Sequence, residues 1–158
     1  MRKKYLYFGG RSGDPNNYHG NGDSMLRVWS TNGQTVALQR LLEAGCNPNG
    51  KLGSGLSAYQ NLVHRADAPT PLMDAVKNGN IEACDILCRY GAALDICVDE
   101  GTALAVAAEY NRTGCCAVLL AAGANPAQSG KNGMLPAAIA VERGPIHIAR
   151  MCSYPVVV

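Results

Sequence analysis

Thr70-Pro-Leu-Met-Asp-Ala-Val-Lys-Asn-Gly79 returns in altered form as Thr102-Ala-Leu-Ala-Val-Ala-Ala-Glu-Tyr-Asn111, and again as Leu135-Pro-Ala-Ala-Ile-Ala-Val-Glu-Arg-Gly144. The three starts lie 32 and then 33 residues apart, and each copy leads into a second apolar run. Thr70-Pro71 reads as an N-cap followed by the first helical residue, because proline at that position gives up no bond the helix could make. Leu72, Ala75 and Val76 then form a small-residue apolar stripe on a short helix, which Gly79 ends. Asn80-Ile-Glu-Ala-Cys-Asp-Ile-Leu-Cys-Arg-Tyr90 starts another, with Ile81, Cys84, Ile86, Leu87 and Cys88 at helical rather than alternating spacing. Gly91 closes that helix as a left-handed cap. The same plan recurs with Cys115, Cys116, Val118, Leu119 and Leu120 before Gly123. A unit of two short helices cannot bury its own apolar face, so it must stack on neighbours.

A more degraded fourth copy lies upstream. Gly22-Asp-Ser-Met-Leu-Arg-Val-Trp-Ser-Thr-Asn-Gly33 followed by Val36-Ala-Leu-Gln-Arg-Leu-Leu-Glu-Ala-Gly45 fits the same frame. Ser24 stands where Thr70 does, Gly33 where Gly79 does and Gly45 where Gly91 does. Trp29 takes the small-residue place of Ala75. A tryptophan there would clash in a middle repeat; in a terminal repeat, with one neighbour fewer, it can plug the open end of the stack.

A period near 33 residues, built from a turn and two helices, is that of the ankyrin repeat, and the chain resembles that family over roughly residues 22–155. The turn strings Gly45-Cys-Asn-Pro-Asn49, Gly91-Ala-Ala-Leu-Asp95 and Gly123-Ala-Asn-Pro-Ala127 match the family's Gly-Ala-Asp-Val-Asn turn in outline. The histidine of the family's Thr-Pro-Leu-His is absent from every copy, where Arg27, Met73, Ala105 and Ala138 stand. The inter-repeat hydrogen bonding that this histidine supplies in the family is therefore not expected from those positions. The junction Asn111-Arg112 lacks a glycine, and the loop before Thr102 is one residue short.

The resemblance implies an all-α ankyrin repeat solenoid of about four helix-turn-helix repeats with projecting fingers. Residues 1–21 read as an N-terminal cap or arm, 22–50 as the first repeat, 51–68 as an inserted finger, 69–100 as the second repeat, 101–133 as the third, and 134–158 as the fourth with a C-terminal cap. Solenoid ends need covering, which suits the aromatic-rich start with Tyr5, Tyr7, Phe8 and Tyr18; the far end carries Pro155 as a stop and an unusually apolar Val156-Val-Val158.

Composition narrows the functions. A chain of 158 residues is one domain's worth, and 47% apolar content with one Phe and one Trp suits a thin core of small side chains. A formal charge of +2 sets no demand for nucleic acid or an anionic membrane. No apolar run approaches the roughly 18–20 residues a spanning helix needs. The apolar part of Tyr5-Leu-Tyr-Phe8 is too short for a secretion signal. The expected setting is therefore cytoplasmic, where seven cysteines stay reduced.

Chemistry is poorly supported. Cys84 and Cys88 lie one helical turn apart and Cys115-Cys116 are adjacent, but no Cys-x-x-Cys pair exists and His147 is the only histidine in the second half. Tetrahedral zinc needs four N/S ligands at set spacings, so no metal and no cofactor is expected. Each of these cysteines falls where the family carries an aliphatic residue, and a free cysteine packs as a small hydrophobe. His147 falls at a helix-surface position, and His19 and His64 have no nucleophile beside them. Gly9 to Gly22 lacks the strand–loop–helix setting and the Gly-Lys-Ser/Thr of a phosphate cradle. Asn111-Arg-Thr113 is a glycosylation triplet that a cytosolic protein would not present. Enzyme chemistry on Cys or His in the insert is the reading outside binding, and no catalytic residue is assigned.

Binding to another protein is the expected function, by a chain that is a monomer when free. The resemblance places the variable contacts before each capping residue and at the end of each first helix, on the concave face and finger loops. These are Asp23, Thr31 and Asn32; Lys77 and Asn78; Val98, Asp99, Glu109 and Tyr110; Lys131, Asn132, Glu142 and Arg143. Tyr110 and Arg143 are the preferred anchors, since aromatic residues and arginine are enriched among hot spots. The insert adds Tyr59, grouped with Leu56, Leu62 and Val63 at spacings that a short helix puts on one side; long insertions are often functional. The narrower roles are a stoichiometric inhibitor, such as an immunity protein blocking a toxin, or a host-directed bacterial effector or adaptor.

Overall fold

The computed structural model describes residues 25–49 and 69–153. Eight α-helices are found among them: α1 (Met25–Asn32), α2 (Thr35–Glu43), α3 (Pro71–Asn78), α4 (Ile81–Arg89), α5 (Ala103–Glu109), α6 (Thr113–Ala121), α7 (Pro136–Arg143) and α8 (Ile146–Ser153). A single 3-10 turn, Lys131–Gly133, precedes α7. No strand occurs among the described residues, only an isolated antiparallel bridge between Val98 and Gly101.

Capping chemistry fixes where the helices start. The Oγ1 of Thr70 accepts the Met73 amide at 3.2 Å, and Thr102 accepts that of Ala105 at the same distance. Leu135 holds this place in the last repeat with no side-chain cap, and Pro136 at the first helical position lowers the need for one. Gly79 ends α3 with φ 74°. The glycine-free junction after α5 is solved by Asn111, which takes φ 54°; Asn tolerates the left-handed region better than most residues.

The helices stack in two layers. First helices run α1–α3–α5–α7 and second helices α2–α4–α6–α8, each packed on its sequence partner and on its layer neighbour. Ala75, Ala107 and Ala140 are fully buried at one register position of the first layer, and their small size lets the helices approach closely. Leu87 and Leu119, the expected equivalents in successive second helices, are each 0% exposed. Ile81 lies over Gly114 of the next unit, where a Cβ would fall 2.2 Å from the isoleucine Cδ1.

The cysteines are less uniform than expected. Cys46, Cys84, Cys115, Cys116 and Cys152 are buried and Cys88 half-buried, but Cys97 is exposed. Cys97 precedes the Val98–Gly101 bridge and is exposed, whereas Val98 is buried. Trp29 is half-buried against the core. The expected arm at 1–21, the finger at 51–68 and the tail beyond Ser153 lie outside the described residues.

Candidate functional site

The first helices carry a line of polar and aromatic side chains, most of them in contact with the repeat beside them. In α1, Arg27 occupies the place of the family histidine and reaches Asp74 of α3, with Nε to Oδ2 at 2.6 Å. One unit further, Lys77 Nζ meets both Glu100 oxygens at 3.0 and 3.2 Å, and lies 5.4 Å from the Tyr110 ring centroid. The hydrogen bond to Glu100 is the main reason the Lys77 ammonium is held above its ordinary pKa. One unit further again, Arg143 donates to Glu109 Oε1 at 2.9 Å. Tyr110 is 40% exposed in the middle of this line.

The remaining expected contacts fall out unevenly. Thr31, Asn32, Asn78, Asp99, Asn132 and Glu142 are exposed. Thr31 and Asn78 nonetheless bond back to their own helices, to the carbonyls of Arg27 and Asp74. Val98 is a correction: it is 7% exposed, with its amide and carbonyl joined to Gly101, and its side chain points into the core. The loop before Thr102 is short enough that this tight bridge turns Val98 inward. Lys131 belongs to the 3-10 turn, but its side chain is outside the described set, as are Asp23 and Tyr59.

A second set of contacts, not expected from the sequence, takes over the coupling that the family histidine would supply. Asn80 Nδ2 donates to the carbonyls of Ser30 and Thr31 at 2.6 and 2.9 Å. At the equivalent place in the next unit the Arg112 guanidinium donates twice to the Lys77 carbonyl, at 3.1 and 2.9 Å. Pro145 stands at that place in the last unit, where instead a contact at other repeat positions joins the second helices, Thr113 Oγ1 and His147 Nε2 lying 2.7 Å apart. The turns form their own ladder: Asn49 Oδ1 accepts the Ala93 amide at 2.8 Å, and Asp95 Oδ1 accepts that of Asn125 at 2.9 Å. The readable signal for the ladder was an Asx residue at the fifth place of two turn strings; Ala127 stands there in the third.

Little in this arrangement suits bond-making chemistry. Among the described residues no group of three or more His, Cys, Asp or Glu side chains could hold a metal ion. The thiols of Cys84 and Cys115 are 3.6 Å apart and buried. The hydrogen bond to Cys115 and then burial push the Cys84 thiol up, so it stays protonated. A shallow groove of about 570 Å³ lies at the N-terminal unit, lined by Trp29, Gly33, Gln34, Val36, Ala37 and Arg40. No helix among the described residues is long and apolar enough to cross a membrane.

Comparison with known proteins agrees with this architecture. The family model described as ankyrin repeats in three copies matches residues 31–130 and 72–153. The mouse (Mus musculus) protein cyclin-dependent kinase 4 inhibitor B is 30% identical over 98 residues, covering 49% of this chain and 75% of that protein. With matches that span both helix layers, the chain belongs to the ankyrin repeat family, whose repeats are in general protein–protein interaction modules.

Proposed function

We propose that the chain is a non-catalytic binding module that engages a protein partner through its concave face and the adjoining finger loops. The supporting observation is the line Lys77–Tyr110–Glu109–Arg143, which draws on three successive units and is held in place before any partner arrives. Fixing side chains in advance lowers the ordering cost of association, and Tyr110 offers an exposed aromatic face at the centre of the line. The contact set is Thr31, Asn32, Lys77, Asn78, Asp99, Glu109, Tyr110, Asn132, Glu142 and Arg143, with Asp23, Tyr59 and Lys131 as additional members. Val98 drops out because its side chain is buried. The same reading has the chain working without cofactor or metal, as a monomer when free, in a reducing compartment.

The test is capture of partners from native extract with the full chain, in parallel with a Tyr110→Ala/Arg143→Ala variant. A protein retained by the first and lost by the second supports this surface. Titration of that protein should then show at least tenfold weaker binding to the variant, which is about 1.4 kcal/mol. Equal retention by both places the contact elsewhere.

A second, narrower reading is stoichiometric inhibition of an enzyme, favoured by the name of the mouse relative as a kinase inhibitor. It requires that the captured partner be an enzyme whose activity falls in a one-to-one titration. A partner that binds with unchanged activity leaves the adaptor role.

A further inference from the structure

Three Asn-Gly pairs lie among the described residues: Asn32-Gly33, Asn78-Gly79 and Asn132-Gly133. Such a pair carries its own reaction, because the glycine amide nitrogen can attack the asparagine side-chain carbonyl and glycine has no side chain to obstruct it. Ring closure requires the asparagine ψ to rotate and the glycine N–H to leave its acceptor, so the cost of local opening decides which pair reacts. In the first two pairs a residue of the next repeat lies against the glycine. A Cβ on Gly33 would stand 3.1 Å from Asn80 Oδ1, and one on Gly79 would stand 3.3 Å from Arg112 Cδ. Gly79 also donates to the Val76 carbonyl at 2.9 Å, and Asn78 Nδ2 donates to the Asp74 carbonyl at 2.8 Å. The third pair differs at each point. Asn132 and Gly133 are both exposed, and nothing lies within 4 Å of a Cβ on Gly133. They belong to a 3-10 turn of three residues, in which Gly133 donates to the Gly130 carbonyl at 3.2 Å. Asn132 sits at φ 59° and ψ 24°, a left-handed conformation that is unfavourable for a residue with a Cβ and that opening the turn relieves.

We propose that Asn132 is a site of spontaneous deamidation, which gives this turn a negative charge as the protein ages. The Gly133 amide nitrogen loses its proton to base and bonds to Asn132 Cγ. The Cγ–Nδ2 bond breaks, and ammonia leaves with a proton taken from water. Water then opens the cyclic imide: attack at the side-chain carbonyl gives aspartate, and attack at the backbone carbonyl gives isoaspartate, in which the main chain runs through the former side chain. Nothing is oxidised or reduced, and water is the one co-reactant. Asn132 belongs to the contact set proposed above and stands in the register place of Asp99, each three residues before its helix cap, Leu135 or Thr102. Conversion therefore puts a carboxylate at the same place in two successive units. The effect of that charge on binding rests on the proposed contact surface, whereas the reaction itself does not.

The test holds the full chain in native buffer at pH 8, in parallel with the same chain unfolded in urea. Conversion of each pair is followed by mass spectrometry of peptides cut at low pH, where ring closure is slow. In the unfolded chain the three pairs should react at similar rates, since each has the same glycine neighbour. In the folded chain Asn132 should keep its unfolded rate to within about fivefold, while Asn32 and Asn78 slow by more than about tenfold, because a helix end packed under the next repeat opens less readily than an exposed turn. Isoaspartate should appear together with aspartate at position 132, read by methyl transfer from an isoaspartate-specific methyltransferase. In Asn132→Gln that peptide should take no label. Asn132 slowed by folding as much as the other two overturns the proposal, and so does Asn32 or Asn78 converting as fast as Asn132 in the folded chain. Aspartate at 132 without isoaspartate overturns the ring-closure route.

Discussion

Replacing Leu119 by alanine tests the stacking register most directly. Leu119 is 0% exposed in α6, between α4 and α8 in the second layer. The substitution removes three carbon groups from a fully dehydrated site, which at about 0.8 kcal/mol each is about 2.4 kcal/mol of transfer free energy. The surrounding helices are tied on both sides, through Arg112 to Lys77 and through Thr113 to His147, so the site cannot collapse freely. A cavity term then brings the expected cost to about 3–5 kcal/mol, within the range seen for buried leucines. With a urea dependence of about 1–3 kcal/mol per molar, the denaturation midpoint should fall by at least about 1 M. Val36→Ala is the control: Val36 is 66% exposed, and its loss should cost under about 0.5 kcal/mol. Leu87→Ala should behave like Leu119→Ala, since it holds the same register one unit earlier and is likewise 0% exposed. An unchanged midpoint for both leucine variants, or equal losses for leucine and control, would refute the register on which every positional argument above depends.

Arg112→Ala should lose about 1.5–3 kcal/mol in urea titration, because a charged donor leaves the Lys77 carbonyl without its two bonds; Arg112→Lys should restore less than half, having no fork to place. Thr102→Ala should cost about 1 kcal/mol through loss of the cap on α5, with Thr102→Ser close to neutral. In native buffer at pH 8 a thiol reagent should modify Cys97 rapidly and the other six cysteines slowly, read by mass spectrometry of the labelled peptides. Burial first, and then the charge of Asp85, raises the Cys88 thiol from 9.0 to about 11. A raised acid keeps its full contribution below the unfolded value, so stability should decline as pH rises from about 9 through about 11. Cys88→Val should remove that part of the slope.

The repeat period, both capping threonines and the buried Leu87 and Leu119 were legible because each follows from a local rule: proline with threonine at a helix start, glycine at its end, apolar residues at helical spacing. Asn111 was not, since the sequence shows only a missing glycine and not that asparagine takes over its left-handed conformation. Val98 was misplaced because a family frame assigns positions by counting. A loop one residue short replaces that count with a bridge to Gly101, and at that bridge Val98 is buried while Cys97 is exposed. Arg112, Asn80 and Glu100 were invisible for another reason. Their partners are 35, 49 or 50 and 23 residues away, and the three partners of Arg112 and Asn80 are backbone carbonyls, which leave no trace in side-chain pattern.

The way the units are joined sets the order in which they should come apart. The first two are linked by the Arg27–Asp74 ion pair, which is largely shielded at 24% and 13% side-chain exposure, and by two Asn80 bonds. The middle junction has both Arg112 bonds to a backbone carbonyl and the Asp95–Asn125 rung. The last has an exposed Thr113–His147 contact and an Arg143–Glu109 pair whose arginine is 57% exposed. Exposed pairs contribute about 0–1 kcal/mol, and Ala127 ends the turn ladder before this junction. In a stack whose stability is a sum of unit and nearest-neighbour terms, the weakest interface opens first, so α7 and α8 should exchange amide hydrogen ahead of α3 to α6. That ordering matters for binding, because Arg143, one of the two anchors, is carried on the unit with the least support. A partner that grips Arg143 would stiffen this end of the stack, so its binding should slow exchange in α7 and α8 more than in the middle units.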